Sequence, residues 1–232
     1  MAPSRVHLIC LPFAGGTAVT YRTWKRSLPA WIDVVAVELP GHGTRLAEPQ
    51  KTTMDELVRV VLPTIEKLAS PVALFGHSMG ARLGYELCRA LTNTPVHLFA
   101  SGAPGPQVPR RRNLAQLSRT ELIAELARMN PAAAEVYQDE DLMELLLPII
   151  HTDLALSESY RGTVDPPIDV PITVLTGSAD EDVTLDETRA WKLATTRAFA
   201  EPVVYDGGHF FLDAHAKSIQ EMIVDTLGAY RG

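Results

Sequence analysis

The sequence predicts an α/β fold built around a mostly parallel β-sheet of about six to seven strands flanked by helices. Short apolar runs alternate along the chain with longer amphipathic stretches, which is the pattern of strand–helix units that feed a parallel sheet. Most of the apolar runs are continuous, as expected for strands that are buried on both faces. These two observations together predict a sheet that is covered by helices on both sides.

The predicted elements follow this alternation from the N-terminus onward. Strands are expected at Val6 to Leu11, Val34 to Leu39, Val72 to Phe75, Val96 to Ala100, Ile172 to Thr176 and Pro202 to Tyr205. Helices are expected at Tyr21 to Leu28, Met54 to Leu68, Ala81 to Leu91, Leu185 to Thr196 and Ala214 to Tyr230. No internal repeat is present. The length of 232 residues and the composition are those of one globular domain, so residues 1–232 are expected to form a single domain with an insertion.

The alternation stops between about residues 105 and 166, where helical stretches follow one another, so we expect an inserted helical region. Ser118 and Glu121 form a capping box at the start of its first helix, and Asn130-Pro131 is expected to start the second. A third helix, from about Asp139 to Arg161, carries too many apolar residues for one core-facing stripe. It is expected either to lie wedged between its neighbours or to roof an apolar substrate pocket.

The composition argues against several classes of function. With 46% hydrophobic and 21% charged residues, the chain has the profile of a soluble globular protein. A net charge of −7 and the lack of phosphate-binding glycine motifs argue against nucleic acid or nucleotide ligands. No apolar run approaches the roughly 20 residues of a membrane span, and Met1 to Arg5 lacks signal-peptide features, so a cytoplasmic protein is expected. Cys10 and Cys88 are expected as buried, unpaired thiols without metal-ligand spacing, and no bound metal is predicted.

The stretch Gly76-His77-Ser78-Met79-Gly80 is the strongest chemical signal in the chain. It follows the apolar run that ends at Phe75 and precedes a predicted helix. In this G-x-S-x-G context the serine occupies a strained turn at the tip of a buried strand, and the glycines avoid clashes with the neighbouring strand and helix. Ser78 is therefore the candidate nucleophile, and a glycine-flanked turn without chemistry is the alternative.

A serine hydroxyl needs a general base, and seven histidines compete for that role. His209 lies in a glycine-rich loop just after the last predicted strand, where an imidazole can reach the serine, so it is the candidate base. His42 and His77 can line the site without acting as the base. The histidines expected to be structural are His7, His97, His151 and His215.

The base in turn needs a carboxylate that holds its tautomer, and in this topology the acid precedes the histidine in the chain. Asp180 follows the strand predicted at Ile172 to Thr176 and is the candidate acid. The loop after the strand predicted at Val96 to Ala100 contains no carboxylate, which strengthens this assignment. Glu181 and Asp182 are the local competitors.

Acyl transfer also requires hydrogen-bond donors for the oxyanion of the tetrahedral intermediate. The backbone N–H of Met79, the residue after the serine, is expected to be one of them. The loop Pro12 to Gly16 follows the first predicted strand and is expected to supply the second donor from Ala14. A Gly15-Gly16 turn that is merely flexible is the alternative.

Several stretches, taken together, have the pattern of one enzyme family. They are Leu11-Pro12-Phe13-Ala14-Gly15-Gly16, Glu38 to Arg45, Phe75 to Ala81, Ser101-Gly102-Ala103-Pro104 and Gly207 to Leu212. The sequence thereby resembles, over nearly its whole length, the type II thioesterases of polyketide and nonribosomal peptide pathways, which are α/β-hydrolases with a helical lid.

This resemblance implies an α/β-hydrolase fold with a lid at about residues 105–166, and a site formed by Ser78, Asp180 and His209 with Met79 and Ala14 at the oxyanion hole. Such enzymes hydrolyse acyl groups from the phosphopantetheine arm of acyl or peptidyl carrier proteins, for editing or for release. The phosphopantetheine is carried by the substrate protein, and the enzyme is expected to bind no cofactor of its own. The residues expected to line the substrate pocket are Phe13, His77, Leu146, Ile150 and Phe210.

Two other functions remain open at this point. A carboxylesterase or lipase acting on oxygen esters would use the same triad, because the triad indicates acyl transfer but does not identify the leaving group. A binding module without turnover is the more distant alternative. If acidic carrier proteins are the partners, a local basic docking face is expected. Its candidates are Arg110 to Arg112, or else Arg22, Lys25 and Arg26, and solvated surface charge is the competing explanation.

Overall fold

The parallel sheet is the centre of the molecule. The computed structural model describes residues 5–69 and 71–231, so most of the segment Met1 to Arg5 lies outside the described residues. Within them the strands are β1 (Val6–Leu11), β2 (Ile32–Ala36), β3 (Val72–His77), β4 (His97–Ser101), β5 (Ile172–Gly177) and β6 (Val203–Tyr205). They form a six-stranded sheet in the order β2-β1-β3-β4-β5-β6, and every neighbouring pair is parallel. The predicted fold class is confirmed.

Helices pack against both faces of this sheet. The helices within the described residues are α1 (Trp24–Ser27), α2 (Met54–Glu66), α3 (Met79–Ala90), α4 (Arg119–Met129), α5 (Ala134–Gln138), α6 (Glu140–Ser159), α7 (Leu185–Arg189), α8 (Phe211–Ala214) and α9 (Ala216–Leu227). Because alternate residues of a strand face opposite sides, Ile9 and Leu11 pack with α2 and α3, whereas Leu8 and Cys10 pack with α1 and α9. The two apolar layers fix the sheet, and with it the loops at its carboxyl edge.

The segment between β4 and β5 is helical and contains α4, α5 and α6. The predicted capping box is present, because the Ser118 side chain accepts a hydrogen bond from the Glu121 N–H and the Glu121 side chain bonds back to Ser118. Helix α6 starts after Asp139, whose side chain accepts from the N–H of Leu142. The segment also has its own apolar cluster, formed by Leu114, Leu122, Leu126, Met143, Leu147 and Ile150.

Several element boundaries differ from the prediction. Strand β2 starts at Ile32 and ends at Ala36, not Val34 to Leu39, because its pairing with β1 ends at Cys10. Asn130 makes no side-chain cap, since it is already the C-cap of α4, and a 3-10 turn follows it. The helices predicted at residues 21–28, 185–196 and 214–230 are shorter or interrupted, with 3-10 turns at Ala18–Tyr21, Ala190–Ala194 and Gly228–Tyr230.

Two further expectations concern the thiols and membranes. Cys10 and Cys88 are buried and unpaired, as predicted. Among the described residues, no helix combines the length and the apolarity needed to cross a membrane.

Candidate active site

Ser78 lies in a sharp turn between β3 and α3. Its φ of 55° and ψ of −112° make it the one non-glycine residue with positive φ in the described part of the chain. Its backbone N–H donates to the carbonyl of Ser101 at 2.8 Å. A Cβ on Gly76 would overlap the backbone of Gly80, and a Cβ on Gly80 would overlap the carbonyl of Leu11. The turn therefore requires both glycines, and it holds the serine at the carboxyl edge of the sheet in a strained conformation.

His209 and Asp180 come from the loops that follow β6 and β5. Nδ1 of His209 lies 2.8 Å from Oδ2 of Asp180, and both side chains are buried. Because a carboxylate oxygen only accepts, the proton of a neutral His209 is on Nδ1 and its lone pair is on Nε2. The other oxygen of Asp180 accepts from the N–H groups of Asp182 and Val183, at 2.9 and 3.2 Å. The imidazole thus has the tautomer that a general base requires.

The electrostatics of this pair favour an ionised acid. Burial by itself would raise the pKa of Asp180, but the hydrogen bond and the charge of His209, together with the Asp182 N–H, outweigh it, and the pKa lies below its usual value. A carboxylate that stays ionised stabilises the imidazolium that forms when His209 takes up a proton.

Arg110 contacts the candidate nucleophile directly. Its Nη2 donates a hydrogen bond to Oγ of Ser78 at 2.7 Å. Burial lowers the pKa of Arg110 from its ordinary value, while Asp182 and Asp180 partly restore it. The hydroxyl of Ser78 accepts this bond, so its own proton remains available for a base. A positive charge at this distance also favours the alkoxide form of the serine.

Two backbone N–H groups are available as oxyanion donors. Met79 is the first residue of α3, and the N–H groups of a first helical turn have no acceptor within the helix. Ala14 lies on the cavity that contains Ser78, and among the described residues its N–H donates to no protein acceptor. The turn around it is closed by a hydrogen bond from the N–H of Gly16 to the carbonyl of Phe13 at 2.8 Å.

One cavity brings together Ser78, His209 and Arg110. Its other lining residues are Ala14, Arg112, Leu114, Met129, Leu154, Ser157, Glu158 and Asp182. The apolar members of this lining, apart from Ala14, come from the inserted segment between β4 and β5. Helix α6 therefore covers the cavity with its C-terminal half, while its N-terminal half packs against α4.

None of the five side chains predicted to contact substrate is on the lining of this cavity. Phe13, His77 and Phe210 form an aromatic cluster, with ring centroids 5.0 Å apart for Phe13 and Phe210 and 5.1 Å apart for His77 and His209. Leu146 and Ile150 share a face of α6 with Leu154 but lie one to two turns closer to its N-terminus, where they join the apolar cluster of the inserted segment. In the aromatic cluster, the rings of His77 and Phe210 pack against the imidazole of His209.

His77 is a structural neighbour of the site. Its Nδ1 lies 2.9 Å from Oγ of Ser101, and its side chain is fully buried. Burial and the nearby His209 lower the pKa of His77 well below its ordinary value, so it is neutral near pH 7.

The competing acids have other partners. Asp182 pairs with Arg112 at 3.0 Å, and Glu181 is exposed and pairs with Arg128. One potential ligand atom each from Asp180, Asp182 and His209 lies within 4.8 Å of the others. Asp180 and His209 bond to each other, however, and the guanidinium of Arg112 already neutralises Asp182. A cation at this cluster would have to displace both interactions.

The arginine triplet does not form a free basic face. Arg110 is directed at Ser78, and Arg112 pairs with Asp182 and with Glu125 at 2.6 Å. Arg111 is exposed, with a long contact of 3.7 Å to Glu187. In the sequence, the triplet stands out for its charge. The triplet also follows β4, whose carboxyl end lies at the same sheet edge as Ser78, and this position is the signal that indicates a role for Arg110 in the site.

Comparisons with known proteins identify a family and several relatives of this chain. The thioesterase domain family matches residues 6–227. The chain is 36% identical over 215 residues to the gramicidin S biosynthesis protein GrsT of Aneurinibacillus migulanus, a match that covers 90% of this chain and 84% of that protein. The solved structure of BorB, the type II thioesterase from the borrelidin biosynthetic cluster, superposes with a TM-score of 0.88 at 38% identity and covers 96% of this chain and 93% of BorB. YbtT, a type II thioesterase from the yersiniabactin NRPS/PKS pathway, gives a TM-score of 0.88 at 28% identity, with 100% and 96% covered.

Proposed function

Because this chain belongs to the thioesterase family, we propose that Ser78, His209 and Asp180 hydrolyse acyl thioesters on the phosphopantetheine arm of acyl or peptidyl carrier proteins, for editing or release in a polyketide or nonribosomal peptide pathway. The observation that carries the proposal is one cavity lined both by a strained serine and by an imidazole that a buried carboxylate holds. The relatives named for gramicidin S, borrelidin and yersiniabactin biosynthesis support the carrier-bound substrate. Two buried, unpaired thiols are consistent with a cytoplasmic location.

In the acylation half-reaction, Oγ of Ser78 attacks the thioester carbonyl carbon while Nε2 of His209 takes the hydroxyl proton. The carbonyl electron pair moves to the oxygen, which the N–H groups of Met79 and Ala14 stabilise. Collapse of this intermediate breaks the carbon–sulfur bond and expels the pantetheine thiolate. The thiolate then takes the proton from Nε2 of His209, which leaves the imidazole neutral for the next half-reaction. A thiol has a pKa near 8.5, so the thiolate leaves without strong acid assistance.

In the deacylation half-reaction, a water molecule attacks the acyl-serine while His209 removes a proton from it. The second tetrahedral intermediate collapses to the free carboxylic acid, and His209 returns its proton to Oγ of Ser78. Asp180 stays ionised in both halves and holds the imidazole in one orientation. The guanidinium of Arg110 stabilises the developing negative charge on Oγ before the first bond forms.

The carrier protein is proposed to dock on a basic surface formed by Arg22, Lys25 and Arg26. All three side chains are exposed, and none forms an ion pair within residues 5–69 and 71–231. They follow the oxyanion loop in the chain, on and beside α1. This surface replaces the arginine triplet as the preferred docking face, because two of the three triplet arginines are engaged at the site.

Intact-protein mass spectrometry of acyl-carrier proteins tests the proposed function. Acetyl-, propionyl- and longer acyl-carriers are incubated with the wild type and with Ser78→Ala, next to matched acyl-pantetheines and their oxygen-ester analogues. Release of free carrier by the wild type alone is the expected result. A kcat/KM that is higher for the oxygen ester than for the thioester would indicate a carboxylesterase, and no release from any substrate would indicate a binding module.

A further inference from the structure

Asp153 on α6 joins two loops that lie outside the triad. Its Oδ2 accepts a hydrogen bond from the backbone N–H of Gly15 at 2.8 Å and lies 2.9 Å from Nε2 of His42. The side chains of Asp153 and His42 are only 3% and 2% exposed. His42 belongs to the Pro40-Gly41-His42-Gly43 motif, and no step of the proposed mechanism uses it.

The hydrogen-bond partners of His42 define its charge. Nδ1 is 3.0 Å from the carbonyl oxygen of Pro40, and Nε2 faces the carboxylate of Asp153. Both oxygens are acceptors, so each contact is a hydrogen bond only if that nitrogen carries a proton, and the ring is then an imidazolium. Burial lowers the pKa of His42, but Asp153, the Pro40 carbonyl and Glu38 outweigh it and raise the pKa above its ordinary value. Those are the groups that face the ring.

The second partner of Asp153 is the turn that carries the oxyanion donor. Gly15 has a φ of +74°, and a Cβ at this position would lie 2.5 Å from Cγ1 of Ile150. Ile150 and Asp153 are one turn apart on α6, so the helix contacts Gly15 both by packing and by a hydrogen bond. The hydrogen bond to Asp153 anchors the Ala14–Gly15 peptide plane, which carries the Gly15 N–H. The Ala14 N–H lies in the preceding peptide plane, and only the two backbone dihedrals of Ala14 connect these planes. Helix α6 therefore fixes the turn from which that donor projects.

We propose that the His42–Asp153 ion pair is a positioning device for the oxyanion hole, which holds the Ala14 N–H on target by anchoring Gly15 to α6. This inference rests on the proposed function, because it assigns a role within that reaction. The imidazolium of His42 neutralises the buried carboxylate of Asp153, whose charge would be strongly unfavourable without a partner. The carboxylate then accepts from Gly15 more strongly than a neutral group would. Through this hydrogen bond, helix α6 holds the turn that contains Ala14 and Gly15 in a fixed position.

Asp153→Asn tests the proposal in acyl-pantetheine hydrolysis. The amide keeps the size of the side chain but removes the charge, and we expect kcat to fall by about 10- to 100-fold, part of the effect of losing an oxyanion donor, with KM changed by less than about threefold. Glu144→Gln is the matched control, because it makes the same chemical change on an exposed part of α6. It should leave kcat unchanged.

A second readout separates positioning from stability. An acyl-pantetheine trifluoromethyl ketone accepts Oγ of Ser78 at its carbonyl carbon, and the oxygen of the resulting hemiketal occupies the oxyanion hole. Asp153→Asn should weaken this inhibitor by the same factor as kcat. In the wild type, loss of the His42 proton removes the ion pair, so kcat should fall as the pH rises through the pKa of His42. His42→Gln can donate to Asp153 without a charge. It should lower kcat and abolish this fall at high pH. It decides the matter if Asp153→Asn does not fold.

Several results would overturn the inference. They are an unchanged kcat in folded Asp153→Asn or His42→Gln, a fall in kcat without weaker ketone binding, and a high-pH limb that persists in His42→Gln. If the wild type releases free carrier from acyl-carrier proteins and Ser78→Ala does not, the proposed function stands whatever these variants do. If Ser78→Ala retains activity, the proposed function itself fails.

Discussion

Replacing Asp180 with asparagine should reverse the tautomer of the catalytic base. Oδ1 of Asp180 accepts from the N–H groups of Asp182 and Val183, and only an oxygen can keep both bonds. The amide nitrogen of Asn must therefore take the place of Oδ2, where it faces Nδ1 of His209 as a donor. Nδ1 then has to accept, and the proton moves to Nε2, which can no longer take the proton of Ser78.

The size of the effect follows from what is lost. The variant loses the general base in its active tautomer and the charge that stabilises the imidazolium. In the serine-protease triad the same change lowers kcat by about 10⁴-fold. A loss of about 10³- to 10⁴-fold is expected here, which corresponds to about 4 to 5.5 kcal/mol of transition-state stabilisation. KM should change little, because Asp180 is buried behind His209.

Steady-state hydrolysis of an acyl-pantetheine measures this loss. Glu181→Gln is the matched control, since Glu181 is the adjacent acid but is exposed and pairs with Arg128. The control should stay within about twofold of the wild type. A kcat for Asp180→Asn within tenfold of the wild type, or a larger loss in Glu181→Gln, would show that Asp180 is not the acid of the triad.

Three further predictions concern charge. Arg110→Gln should lower kcat by about 10- to 100-fold, the range for a lost charge-assisted hydrogen bond, whereas a faster variant would show that Arg110 obstructs Ser78. Burial lowers the pKa of His97 to about 4. Below pH 6.5 the unfolded state therefore binds more protons than the folded state, so the free energy of unfolding should fall by up to about 3 kcal/mol between pH 6.5 and 4. Urea unfolding at both pH values should show a smaller fall for His97→Gln, and an equal fall would contradict this. Reversing the charges of Arg22, Lys25 and Arg26 should raise KM for an acyl-carrier and leave acyl-pantetheine turnover unchanged, and an equal effect on both substrates would argue against docking there.

The sheet was predictable because buried parallel strands have a strong sequence signal. The runs at β1 and β3 are almost wholly apolar, and the G-x-S-x-G turn after β3 fits only one kind of backbone. Asp180 and His209 could be selected because they follow strands whose carboxyl ends meet at the edge where Ser78 lies. Their hydrogen bond confirms that the chosen loops are neighbours.

The contacts across the inserted helices could not be predicted in the same way. Periodicity shows that Leu146, Ile150 and Leu154 share a face of α6, but not which turn of the helix lies over Ser78. That register depends on tertiary contacts. The bond between Gly15 and Asp153 joins residues 138 positions apart, and no local pattern encodes it.

A search for an acyl group on Ser78 tests the central claim most directly. The wild type is mixed with an acyl-pantetheine, quenched in acid within milliseconds to seconds, digested and mapped by mass spectrometry. We expect the acyl mass on the peptide that contains Ser78, its decay as free acid accumulates, and no adduct in Ser78→Ala. Hydrolysis that continues in Ser78→Ala, with no adduct at any time in the wild type, would contradict the account.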